Sequence, residues 1–147
     1  MGKQQLLFTT THWPTSWLIR AGTWSAWSHV ALVDGDQVIE SVMGHGVRRV
    51  PLYSAIRRAS RHALVSLPAR NPALIIAAAG EQLGKPYDYS AILGLGLHRD
   101  WQEDDAWFCS ELVAWAFQQA GEPLFRAECL RRVTPQNLYM LPEVAFN

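Results

Sequence analysis

Residues 29–42, "HVALVDGDQVIESV", decide how the front of this chain folds. Two apolar runs flank Asp34-Gly35, and an Asp-Gly pair in that setting is the strongest short-range hairpin signal. With Asp34 and Gly35 as the central turn residues, Val33 faces Asp36, Ala31 faces Val38 and His29 faces Glu40. Directly opposed residues share a sheet face, with Cβ atoms about 4.5–5.5 Å apart, so this register sets an imidazole beside a carboxylate. A three-residue loop would set His29 against Ser41 instead. Two readings of the pair stay open. One is a solvated His-Glu contact on an exposed face; the other is a carboxylate that orients a catalytic histidine and supports its protonated form.

Outward from the hairpin, "VRRVPL" (47–52) and "HALVSLP" (62–68) read as further strands, with "YSAIRRA" (53–59) a helical turn or two between them. "TSWLIRA" (15–21) reads as a short helix capped by Thr15 or Ser16. After Pro68 the period changes. "NPALIIAAAGEQLG" (71–84) carries Asn71 as N-cap, Pro72 at the first helical position and Gly84 as the stop. "GKPYDYSAILGLGL" (84–97) reads as a loop and then a glycine-broken helical segment. From Phe108 to Ala120 the apolar positions 109, 112, 113, 116, 117 and 120 make one helical stripe, ended by Gly121. "TPQNLYML" (134–141) starts a last short helix at Thr134 and Pro135. Strands first and helices after imply an α+β fold, an antiparallel sheet from the N-terminal half packed on helices from the C-terminal half, as a single domain over residues 1–147.

The 147 residues carry 13 basic and 13 acidic side chains, and no basic tail stands out, so nucleic acid is not an expected partner. The longest apolar tract, "ALIIAAAG", is far short of a membrane span. The N-terminal "MGKQQLLFTTTHW" lacks the long apolar core and cleavage site of a signal peptide, and two cysteines make no disulfide framework. Together these point to a cytoplasmic, reducing setting. Oligomeric state leaves no mark on the sequence.

In "AWFCSELVAWAF" (106–117), Cys109 lies on the apolar stripe and in the first turn of its helix. Free cysteine is among the most buried residue types, which favours a packing role. The helix N-terminus favours a nucleophile, because its N–H groups and dipole stabilise a thiolate and receive an oxyanion. The acidic run 103–105 would oppose that thiolate if it lay close. Cys129, among charges, reads as a spare thiol, and neither cysteine has metal-ligand spacing. His12, His45, His62 and His98 have no partner pattern, although His45 in "GHG" could line a cleft. Ser110 reads as a first-turn residue, and Asp88 as a cap for the segment after Tyr87. Trp13, Trp17, Trp24 and Trp27 either frame an apolar groove or pack the N-terminal helix, with packing preferred.

The ordered set "FTTTHWPTSWLIRAGTWSAWSHVALV", "VIESV", "GKPYDYS" and "FCSELVAWAF" resembles circularly permuted papain-like thiol hydrolases. These are the permuted NlpC-type proteins of the YiiX/YebB-like group, related more distantly to lecithin:retinol acyltransferase-like enzymes. The resemblance runs from about Phe8 to the "VTPQNLY" near the end. It implies Cys109 as nucleophile, His29 as general base, Glu40 as the orienting third residue and Tyr87 as a substrate contact or oxyanion helper. A tyrosine packed with a satisfied hydroxyl is the plainer alternative for Tyr87. The implied activity is a cysteine hydrolase of amidase or peptidase type, acting on a peptide, a peptidoglycan-like peptide or an acyl group, with no metal or organic cofactor. A silent peptide- or lipid-binding module and a lipid acyltransferase are the alternatives.

Overall fold

The computed structural model describes residues 2–23, 25–88 and 107–142. Trp24, His98, the glycine-broken segment expected after Tyr87 and the acidic run 103–105 lie outside the described residues. The order is β1 (Gly2–Thr10), α1 (Pro14–Thr23), β2 (His29–Asp34), β3 (Gln37–Val42), β4 (Gly46–Pro51), α2 (Leu52–Arg58), β5 (Arg61–Ala69), α3 (Pro72–Gly80), α4 (Cys109–Gln119), a 3-10 helix (Ala127–Arg132) and α5 (Pro135–Tyr139). The five strands form one antiparallel sheet in the order β4-β3-β2-β1-β5. This is the expected α+β architecture.

Both faces of the central strands are covered, so successive residues in the middle of β1, β2 and β3 are buried on either side of the sheet. Leu6, Phe8, Val30, Leu32 and Ile39 turn toward the larger core with Ile75 of α3 and Leu112, Val113, Ala116 and Phe117 of α4. Leu7, Ala31, Val33 and Val38 turn the other way, onto Ala55 of α2. The α4 stripe read from the sequence is therefore the buried face. Its first turn is buried beyond the stripe too: Ser110 donates its hydroxyl to the Val133 carbonyl at 2.5 Å, tying the helix start to the chain before α5.

β1 was not expected as a strand, yet it lies inside the sheet between β2 and β5. Its apolar core is only Leu6-Leu7-Phe8, and the polar Gln4 is buried because its amide donates to the Val33 carbonyl at 2.8 Å. The α1 caps also differ. The helix begins at Pro14, and Ser16 points inward to donate to Ser28 Oγ at 2.7 Å. Asn71 is the N-cap of α3, but its side chain makes no cap hydrogen bond. The Glu122 carboxylate, from beyond α4, accepts from the Arg70 and Asn71 N–H groups at 2.7 and 2.8 Å. At α5 the expected Thr134 start is realised as a capping box with Asn137.

The hairpin register is corrected as well. Asp34 pairs with Gln37 and Val33 with Val38, so Gly35 and Asp36 are the central turn residues. Gly35, at φ +61°, takes the first central position, where both primed turns need positive φ. Continuing the ladder sets Ala31 opposite Glu40 and His29 opposite Val42. This moves each cross-strand partner by two residues, and because side chains alternate with period two, His29 and Glu40 stay on one face as diagonal neighbours.

β4 is an edge strand whose outer side is covered by the segment that leads to Tyr87. Val47 N–H donates to the Lys85 carbonyl at 2.8 Å, and Gly84 N–H donates to the Val47 carbonyl at 2.9 Å. Gly46, at φ +68°, lies against the Lys85 carbonyl where a Cβ would collide with backbone; Gly44, at φ +80°, faces open space. Gly46→Ala should therefore destabilise by about 3 kcal/mol or more, against about 1–2 kcal/mol for Gly44→Ala. Chemical denaturation of the two variants measures the difference, and equal losses would contradict the close approach.

Candidate functional site

His29 is the first residue of β2. The strand holds it through pairing with Thr9 of β1, and the Ser28 N–H donates to the Thr9 carbonyl at 3.1 Å. Its Nε2 lies 3.0 Å from Glu40 Oε1. The Cys109 side chain, at the start of α4, is its other hydrogen-bonding partner, which leaves Nδ1 as the ring nitrogen for the sulfur. His29, Glu40 and Cys109 are thus brought together from β2, β3 and α4.

Glu40 is only 2% exposed. Its second oxygen accepts from Arg48 Nε at 3.0 Å and from Arg58 Nη2 at 3.3 Å. Arg48 is its direct cross-strand partner on β4, and Arg58 is the last residue of α2. Neither arginine was expected at the site. The signal for Arg48 lay in the paired glycines of "GHG", which fix the β3–β4 turn. For Arg58 no local signal exists, because α2 approaches Glu40 only once the sheet is formed.

Burial is the largest influence on His29 and opposes its charge. Hydrogen bonding to Cys109 and to Glu40, reinforced by their charges, overcomes it and raises the pKa from 6.5 to about 10. For Glu40, burial again opposes charge, and the His29 hydrogen bond and charge, the Arg58 charge and the Arg48 hydrogen bond lower the pKa from 4.5 to about 2. The histidine is therefore an imidazolium at neutral pH, ready to deliver a proton.

A cavity of about 220 Å³ opens onto this cluster. His29, Glu40, Arg58 and Tyr87 are among its lining residues, together with Ser16 and Met43. Tyr87 is buried edge-to-face against Phe108, the residue before Cys109, with ring centroids 6.0 Å apart. Asp88, expected as a cap, is fully buried, and its N–H donates to the Trp107 carbonyl at 3.2 Å. Phe108 is the α4 N-cap and supplies no side-chain acceptor to the first turn. Cys109 itself is 1% exposed. His45 is exposed in the β3–β4 turn and does not line this cavity, and Cys129 is an exposed free thiol. Trp27 packs, its partners being Phe8 of β1 and Tyr139 of α5. Trp13 and Trp17 do not pack; they are 72% and 64% exposed.

The antiparallel sheet and the helices packed on it make the α+β architecture of papain-like proteins. Residues 4–140 match the family described as "Permuted papain-like amidase enzyme, YaeF/YiiX, C92 family", and the chain belongs to that family. It is 27% identical to the "Probable lipoprotein peptidase YaeF" of Escherichia coli (strain K12), over 84% of this chain. The chain spans 57% of that relative's length. The crystal structure of the metalloprotein yiiX from Escherichia coli O157:H7 has the same fold. Its TM-score is 0.71 at 21% identity, covering 99% of this chain and 97% of that one.

The cytoplasmic setting expected from the sequence is overturned by the first likeness, to a protein named as a lipoprotein. Unpaired thiols and a short apolar run near the N-terminus do not distinguish compartments on physical grounds. Among the described residues no helix is long and apolar enough to cross a membrane.

The word metalloprotein belongs to yiiX. Among the described residues here, no three His, Cys, Asp or Glu side chains converge as a ligand set. Both oxygens of Glu40 are already engaged by cationic side chains.

The Glu40 contribution to stability is complete above pH 4.5 and disappears as pH falls through about 2. The His29 contribution is complete below pH 6.5 and disappears as pH rises through about 10. The melting temperature should therefore peak between these limits, at pH 4.5–6.5, and fall on both sides. Glu40→Gln, which leaves two guanidiniums without their anion, should cost about 3–5 kcal/mol near neutral pH and flatten the acid side of that profile. Thermal melts across pH on both proteins check this; an unchanged acid limb in the variant would contradict it.

Proposed function

We propose that this chain is a cysteine amidase or peptidase in which Cys109 is the nucleophile, His29 the general base and acid, and Glu40 the residue that orients the imidazole. The observation that carries the reading is the contact of His29 with Cys109 on one side and Glu40 on the other. In this reading the proton shared by the pair already rests on the His29 imidazole, and the Cys109 sulfur beside it attacks the amide carbonyl carbon. The carbonyl oxygen becomes an oxyanion facing the uncapped N–H groups at the start of α4. As the tetrahedral intermediate collapses, the C–N bond breaks, His29 protonates the departing amine, and a thioester remains on Cys109. Water then adds to the thioester as His29 accepts its proton, the C–S bond breaks, and the carboxylic acid leaves. Tyr87, in the cavity wall, is placed to touch the substrate. The substrate class is a peptide, including a peptidoglycan-like one, or an acyl group.

A binding module without turnover is the second reading, and the 1% exposure of Cys109 favours it. Reactivity of the thiol separates the two. As an enzyme, the protein should alkylate at Cys109 with iodoacetamide at pH 6 at least tenfold faster than at the exposed Cys129, since a positioned imidazolium activates sulfur. His29→Ala should remove that advantage, and Cys109→Ala should abolish turnover of peptide and acyl ester libraries while keeping the fold. Mass spectrometry of the modified peptides reads the ratio. Alkylation confined to Cys129 would leave the binding module as the reading.

A further inference from the structure

Beside the His29 cavity lies a second cleft that the chemistry above does not use. It is lined by His12, Trp13 and Pro14 at the start of α1, by Arg58 at the end of α2 and by Ser60 just after it. Thr11, Arg58 and Ala59 line both cleft and cavity, so the two share a rim. On α1, Ser16 and Ile19 are buried, whereas Trp13, Trp17 and Leu18 point outward with exposures of 72, 64 and 53%. Tyr53 of α2 is 70% exposed, with the Arg57 guanidinium 6.0 Å from its ring centre. Large aromatic side chains left in water over adjoining elements mark an interaction surface.

Basic side chains dominate the stretches of chain that build this surface. Residues 11–33 contain Arg20 and no acidic residue, and residues 41–80 contain six arginines and none. His12 and Arg58 line the cleft, Arg57 lies over Tyr53, and Arg61, next to the cleft residue Ser60, pairs with Thr10 and stacks over Trp27 at 4.7 Å. Glu40, which lines the neighbouring cavity, is buried and committed to His29, Arg48 and Arg58, and the exposed Asp36 lies at the start of α2, the opposite end from Arg58. A second copy of this chain meeting the face about a two-fold axis would oppose arginines to arginines. Tryptophan and tyrosine beside arginine match the boundary of an anionic lipid layer, where the rings enter the headgroup region and the guanidiniums meet phosphate.

We propose that the α1–α2 face, with Trp13, Trp17 and Leu18 as its apolar anchor and Arg57 in its rim, docks this protein on an anionic lipid surface with the mouth of the His29 cavity beside that surface. The proposal is independent of turnover, since none of the anchor residues touches Cys109, His29 or Glu40. Flotation of the full chain with phosphatidylglycerol–phosphatidylcholine vesicles, against vesicles of phosphatidylcholine alone, tests it. The expected result is retention on the anionic vesicles only, weakened roughly tenfold or more by Trp13→Ala/Trp17→Ala and about tenfold by Arg57→Glu, and unchanged by Cys109→Ala. The substituted side chains are exposed, and matching melting curves verify that the variants fold. Failure to float with anionic vesicles overturns the proposal. So does equal retention on neutral vesicles, or wild-type retention by the tryptophan double variant. A dimer in sedimentation that this double variant abolishes also overturns it, in favour of self-association.

Discussion

The Glu40 carboxylate is buried on the sheet face that α2 covers, and cations from three separate elements turn toward it: His29 from β2, Arg48 from β4 and Arg58 from α2. Removing a carboxylate from water costs several kcal/mol, which only well-placed charge and hydrogen bonds offset. This one anion therefore constrains much of the molecule. The β2–β3 hairpin must keep His29 on the face of Glu40, the β3–β4 turn must set Arg48 directly across, and α2 must end where Arg58 can reach. The imidazole is held as a cation by the same arrangement, with its remaining nitrogen directed at the start of α4.

The division of the sheet into two faces gives that anion its setting. Alternate residues of β1, β2 and β3 build the main core against α3 and α4, while the opposite set meets α2. His29 belongs by alternation to the α2 face, yet it is the first residue of β2, where the sheet ends and the first turn of α4 comes within reach. A histidine deeper in the strand would be separated from Cys109 by the sheet itself. The edge of β4 is closed by backbone pairing with Gly84 and Lys85, and that pairing delivers Tyr87 to the cavity wall. Sheet edge, hairpin end and helix start thus meet at one place.

The hairpin illustrates how far local rules reach. Asp34-Gly35 marked the turn correctly, but the central pair is Gly35-Asp36, because glycine occupies the first position that needs positive φ. The face assignment of His29 and Glu40 survived because the displacement was an even number of residues. An odd displacement would have sent one of them to the opposite side. Helix α4 was legible from its apolar stripe and Gly121, and the start of α3 from Asn71-Pro72, but α3 ends at Gly80 and not at the expected Gly84. β1 was not, since an inner strand of mixed Gln, Leu and Thr has neither alternation nor a turn signal, and its burial depends on two neighbouring strands.

What the sequence determined by itself is what depends on neighbours along the chain: the place of the hairpin, the α4 period, the Thr134 cap of α5, the strand–helix order that makes the fold α+β, and the shared face of His29 and Glu40. Only the tertiary structure decided which strand lies in the middle of the sheet, that Arg48 and Arg58 bind the Glu40 carboxylate, that Glu122 caps α3, and that Trp13 and Trp17 stay in water while Trp27 is buried. These are contacts between residues far apart in the chain. They come into being when the sheet closes, and no period or spacing within a short window encodes them.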